Sequence, residues 1–174
     1  IVGPENLRDE MIALTQNTDV WPAKSFFDAK RDEQQARHDK YYDIDYALEP
    51  NVKTSPGGLR DIQTIAWIAK RYYKANQLAD MVNLGFLNSN EYDQLAEGER
   101  LLWKLRYGLH LLAGRKEDRL LFDKQRDLAQ MFGYVDDEKS LGIEKLMQEY
   151  YRAVATLRAL NDALLQHFDE AILR

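Results

Sequence analysis

Fourteen residues between Leu48 and Asp61 (LEPNVKTSPGGLRD) hold a lysine, an arginine, two carboxylates, two prolines and a double glycine. Lys53 and Arg60 flank the Pro56-Gly57-Gly58 turn, and Asp61 follows directly. A guanidinium fork and an ammonium point charge are the side chains that suit phosphate oxygens. Prolines and glycines restrict or release φ, so such a run specifies one backbone path. If a helix begins at Pro56 with Ser55 as its cap, the N–H groups of its first turn lack partners and the helix dipole adds positive potential. Lys53, Gly57, Gly58 and Arg60 then make a candidate anion site, most naturally for a nucleotide phosphate. Asp61 would orient Arg60 or accept from a ribose hydroxyl. The same glycines also fit a tight turn that lets a loop pass close to its neighbour, with Asp61 only a first-turn dipole partner.

A second group, Arg115, Asp118, Arg119 and Asp123, crowds the turn between two predicted helices. Its mixed charge suits a structural ion-pair web, and alternatively a pocket wall or a contact for a partner protein. His110, inside a leucine-striped helix, reads as a satisfied and partly buried histidine rather than a catalytic base. Trp67 and Trp103 read as core, with base stacking the alternative. No residue is assigned as catalytic or as a metal ligand. Asp43 and Asp45 have the letters of a metal-binding pair but follow no Gly-Ser turn. His38-Asp39 lies in a polar run without a second histidine nearby.

Helices must carry these residues, because apolar positions recur at helical spacing almost throughout. One helix is predicted from Pro4 to about Asn17 with a Leu7, Met11, Leu14 stripe. A polar, peripheral helix follows from Pro22 to His38. Tyr42, Ile44, Tyr46 and Leu48 alternate with polar or small residues, which predicts a short extended segment near residues 41–49 that delivers the chain into the Lys53 loop. A third helix is expected from Pro56 to about Ala75, and a short one from Gln77 to Asn83. Asn88 with Glu91 reads as a capping box opening a helix to about Ala113, striped by Leu95, Leu102, Leu105 and Leu109. Asp123 is expected to cap a helix ending at Gly133. Ser140 is expected to start the longest, whose stripe runs Leu146, Tyr150, Val154, Leu157, Asn161, Leu164, Phe168. The fold class expected is all-α, an up-and-down helical bundle.

The chain has 174 residues, 45% hydrophobic and 30% charged, with no cysteine and a net charge of −5. These values suit one globular domain without disulfides and fit a cytoplasmic protein. No apolar run approaches the length of a membrane span. The acidic balance argues against nucleic-acid binding. Arg100–Arg126 alone carries eight basic and three acidic residues, a local basic zone better matched to a small polyanion.

Four runs, in order, carry a family likeness: SFFDAKRDEQQARH (Ser25–His38), YALEPNVKTSPGGLRDIQTIAWIAKRY (Tyr46–Tyr72), DRLLFDKQRDLA (Asp118–Ala129) and LNDALLQHFDEAIL (Leu160–Leu173). They resemble the bacterial protein-PII uridylyltransferase/uridylyl-removing enzymes, and more loosely the glutamine-synthetase adenylyltransferases; the Glu49-Pro50-Asn51 lead-in favours the former. The resemblance implies a nucleotidyltransferase substrate-binding-domain-like bundle that follows a catalytic sheet. On this reading the chain is a middle segment of a longer enzyme. Residues 1–3 would end that sheet, 4–55 would be peripheral helices and the signature loop, and 56–174 the main bundle. The family transfers UMP from UTP to a tyrosine of the PII protein with Mg²⁺, and removes it again. The implied partners are PII and the enzyme's own nucleotidyltransferase and hydrolase domains. Lys53, Gly57, Gly58, Arg60 and Asp61 would face UTP, while this segment alone would bind no cofactor and be catalytically silent. A regulatory bundle without nucleotide contact is the competing reading.

Overall fold

A computed structural model describes residues 3–17, 20–44 and 48–173. Among them there is no strand, and seven α-helices form: α1 (Glu5–Gln16), α2 (Ala23–His38), α3 (Leu59–Tyr73), α4 (Asp80–Asn83), α5 (Ser89–Ala113), α6 (Phe122–Met131) and α7 (Gly142–Leu173). The fold is all-α, as the periodicity predicts.

The spine is α7, 32 residues and so about 48 Å long. Its Leu146, Tyr150, Leu157, Leu160, Leu164 and Phe168 are buried where α3, α5 and α6 pack against it. Leu95, Leu102, Leu105 and Leu109 come to the core from α5, and Leu59, Ile62, Ile65 and Ile68 from α3. Each such side chain contributes roughly 2 kcal/mol of transfer free energy, so this shared core sets the helix arrangement that the polar groups then exploit.

Local signals explain most helix ends. The Asn88–Glu91 capping box forms in both directions, at 2.9 and 2.8 Å. The start of α6 is capped from a distance: the Phe122 N–H donates to Glu49 Oε1 at 2.9 Å, while Asp123 is exposed and pairs with Lys124. Asp136 accepts from the Gly142 N–H at 2.6 Å and Glu144 from Leu141 at 2.9 Å, so α7 begins two residues after Ser140.

Three expectations are corrected. The extended segment near residues 41–49 is not there: Asp39–Ile44 is a 3₁₀ helix that continues α2, and residues 45–47 lie outside the described residues. Asp39 keeps helical dihedrals, and its side chain accepts from Gln35. The chain therefore tightens into 3₁₀ geometry, whereas a strand would need a partner for its backbone groups. On α1 the Leu7, Met11 and Leu14 stripe is exposed; periodicity specifies a face but not that another element meets it. The polar α2 is tied in more firmly than its composition suggests, burying Phe27 and Gln34 and pairing Arg31 with Asp169 of α7 at 3.0 Å. The link between α1 and α2 is held by Arg71 of α3, whose guanidinium donates to the carbonyls of Thr15, Asn17 and Trp21.

Candidate functional site

Residues 50–61 form a closed loop between α2 and α3, stitched to the turn before α6. Val52 N–H donates to the Asp118 carbonyl at 2.9 Å, and Leu120 N–H to Pro50 O at 2.8 Å, on either side of an isolated antiparallel bridge between Asn51 and Arg119. Asn51 Oδ1 accepts from the N–H groups of Lys53 and Thr54 at 3.0 and 2.9 Å. Leu59 and Arg60 donate back to the carbonyls of Val52 and Lys53. Ser55 Oγ accepts from Asn51 and does not cap the helix. The N-cap of α3 is Gly58, in extended conformation.

Every backbone N–H from Asn51 to Asp61 therefore has an acceptor inside the chain, Pro56 having none to offer. This corrects the expectation that first-turn amides stand open to an anion. The glycines answer a packing demand. Gly57 has φ +77°, and a Cβ there would run into the backbone carbonyl of Val154 on α7 and lie 2.8 Å from Val154 Cγ1. A Cβ on Gly58 would lie 2.8 Å from Ser55 O and 2.9 Å from Lys53 O.

Asp61 is 1% exposed and its carboxylate is fully engaged. Arg37 donates to Oδ1, His38 Nε2 lies 3.0 and 2.9 Å from the two oxygens, and Gly57 N–H donates to Oδ2 at 2.7 Å. It is a buried hub joining α2, α3 and the loop. It does not orient Arg60, whose guanidinium lies over the Trp67 ring, 5.4 Å from its centroid.

A second hub mirrors it. The buried carboxylate of Asp118 accepts from Arg106 Nε at 2.7 Å and lies 3.0 Å from His110 Nε2. His110 is thus a satisfied, partly buried histidine. Burial pushes the Asp118 carboxyl up, but the hydrogen bonds from Arg106 and His110, with the charge of Lys53, outweigh burial and hold it below its ordinary 3.8. A depressed folded value gives stability that is complete above 3.8 and is lost as pH falls through the folded value. Acid titration of thermal stability should therefore show a steeper loss below 3.8 for the parent chain than for Asp118→Asn; parallel curves would refute the assignment.

Lys53 sits among cations. Burial lowers its pKa from 10.5, and the charges of Arg60, Arg106 and Lys116 lower it further, with Asp118 alone opposing them. Asp118 is already bonded to Arg106 and His110, so the positive charges that act on Lys53, those of Arg60, Arg106 and Lys116, outnumber the carboxylates that do. The structure thus brings Lys53 and Arg60 together with Asp118 from the second sequence group. Arg119 joins the loop by pairing with Glu49 at 3.3 Å. Arg115 and Asp123 stay outside, in exposed pairs with Glu117 and Lys124. Arg37, Arg106 and Lys116 do not stand out in the sequence, and His38, set aside there for lack of a second histidine, is a partner of Asp61. The only local signal for them was Arg106 and His110 at i and i+4, which places both on one helix face. Trp103, read as core, is instead exposed on α5, on a different face from the buried leucine stripe.

Comparison with known proteins gives a consistent picture. Residues 25–165 match the family model described as GlnD PII-uridylyltransferase. The chain is 54% identical over 173 residues to the bifunctional uridylyltransferase/uridylyl-removing enzyme of Pseudomonas aeruginosa. It is 55% identical to that of Stutzerimonas stutzeri and 53% to that of Azotobacter vinelandii. In each case 99% of this chain is aligned, and it spans 19% of the relative's length. No solved structure matches the chain.

Proposed function

This chain belongs to the GlnD PII-uridylyltransferase family, and from that premise we propose that it is the helical segment that closes one side of the nucleotide cleft in such an enzyme. The reaction proposed for the longer protein is transfer of UMP from UTP to a tyrosine of the PII protein, and its removal. Lys53 and Arg60 would hold phosphate oxygens, supported by Arg106 and Lys116. The observation that carries this reading is the cation cluster around Lys53, whose one opposing carboxylate is already engaged. A polyphosphate supplies the missing negative charge and would raise the Lys53 pKa. Positioning of this kind is worth several kcal/mol of barrier.

Gly57, Gly58 and Asp61 serve this site indirectly, by fixing the path of the loop that carries Lys53. The carboxylates beside the loop do not fit a Mg²⁺ ion, because Asp61 and Asp118 are taken by guanidinium, imidazole and amide donors. Any Mg²⁺ that the longer enzyme uses would be held by residues outside this loop. The second reading, a bracing or regulatory bundle that never meets nucleotide, is favoured by one observation: the loop's amides are all satisfied internally.

UTP titrated with and without Mg²⁺ into the chain, followed by amide NMR, separates the two. The expected result is a set of shifts centred on Lys53 and Arg60 that is lost in the Lys53→Ala/Arg60→Ala variant. A spectrum unmoved by millimolar UTP removes any independent nucleotide role for this segment and favours the bracing reading.

A further inference from the structure

One face of α5 presents Trp103, Tyr107 and Leu111 to solvent, 42%, 68% and 59% exposed. They stand at i, i+4 and i+8, a single stripe on the helix surface, and the core-facing leucines of the same helix are fully buried elsewhere on its circumference. Large apolar side chains so exposed and contiguous along a helix mark an interaction surface rather than random surface scatter.

The charge around the stripe identifies what it meets. Arg106 stacks over the Trp103 ring, 5.2 Å from its centroid, and the same Arg106 donates to Asp118, whose carbonyl accepts from the Val52 N–H beside Lys53. The stripe is therefore continuous with the candidate phosphate-binding cations. Arg100, Lys104, Arg115 and Lys116 are exposed along and beyond it, within Arg100–Arg126, where basic residues outnumber acidic ones by eight to three; Glu99, which accepts from Trp103 Nε1 at 3.4 Å, borders the stripe at one end. Aromatic anchors beside arginines are the composition of protein-binding hot spots, and a basic rim selects an acidic partner.

We propose that the stripe Trp103–Tyr107–Leu111 is the docking surface for the acceptor polypeptide, through an acidic segment that carries apolar side chains, and that it delivers that segment toward the Lys53 cluster. The proposal rests on the transfer reading given above and names the partner surface for it. Apolar anchors seat in the stripe while carboxylates meet the arginine and lysine rim, so association is faster and tighter at low salt.

The test uses this chain and purified PII as the probe, with affinity measured by calorimetry at low and high salt. The Tyr107→Ser/Leu111→Ser variant changes only exposed side chains, and its circular dichroism should match the parent. The expected result is affinity weakened by about tenfold or more in that variant, weakening with salt in the parent, and UTP-induced amide shifts at Lys53 and Arg60 unchanged in both. Three results overturn the proposal: equal affinity of parent and variant, no binding of PII to the parent, or a stripe buried by self-association in sedimentation equilibrium. Because UTP shifts are read separately, loss of those shifts alone strikes the nucleotide reading and leaves the docking surface to be judged by its own titration.

Discussion

Asp61→Ala is expected to destabilise the chain by about 3–5 kcal/mol, the range for removing one partner of a buried ion pair. The carboxylate joins three elements at once: Arg37 and His38 from the end of α2, and the Gly57 amide from the loop. Without it, a buried guanidinium and a buried N–H are left without their acceptor, and both carry desolvation penalties. For a domain of this size the change corresponds to a melting temperature lower by about 10 °C. Asp61→Asn keeps an acceptor for Gly57 but turns a donor toward Arg37 or His38, so it should rank between parent and alanine. The discriminating measurement is a double-mutant cycle with Arg37→Ala. If Arg37→Ala costs as much on the Asp61→Ala background as on the parent, the two residues are not coupled and the hub is misassigned.

The second large effect belongs to Gly57→Ala. Its φ of +77° lies in the left-handed region, which costs an L-residue roughly 1–2 kcal/mol. The added methyl group would also meet the Val154 carbonyl and Cγ1 of α7; overpacking of this kind costs about 1–3 kcal/mol. Together they predict a loss of about 2–5 kcal/mol. Gly85 is an internal control: it has the same φ of +77°, yet nothing lies within 4 Å of where its Cβ would stand. Gly85→Ala should show the backbone contribution alone. Chemical denaturation of both variants separates the two contributions, and equal losses would mean that the loop's approach to α7 is not tight.

Much of the helical architecture was legible because its signals are local. The leucines of α5 recur at a helical period and are buried, and Asn88 with Glu91 spells a cap that needs no tertiary partner. The site was legible only in its residue types. Lys53, Arg60 and the glycines stand out in sequence, but what their backbone does is decided elsewhere: Val52 by the Asp118 carbonyl, sixty-six positions away, and the start of α6 by Glu49. Asp61 illustrates the difficulty, since first-turn dipole partner, ribose acceptor and buried hub are the same letter at the same spacing. The α1 stripe shows the converse, a clear pattern that no packing completes among the described residues.

The internal saturation of the amides between Asn51 and Asp61 has a consequence for selectivity. A loop with free amides can mould itself to a ligand's outline and distinguish one nucleobase from another by their edges. This one has no N–H left to offer between Asn51 and Asp61. On the proposed nucleotide reading, an incoming anion would meet the Lys53 and Arg60 side chains first, and those charges do not distinguish one triphosphate from another.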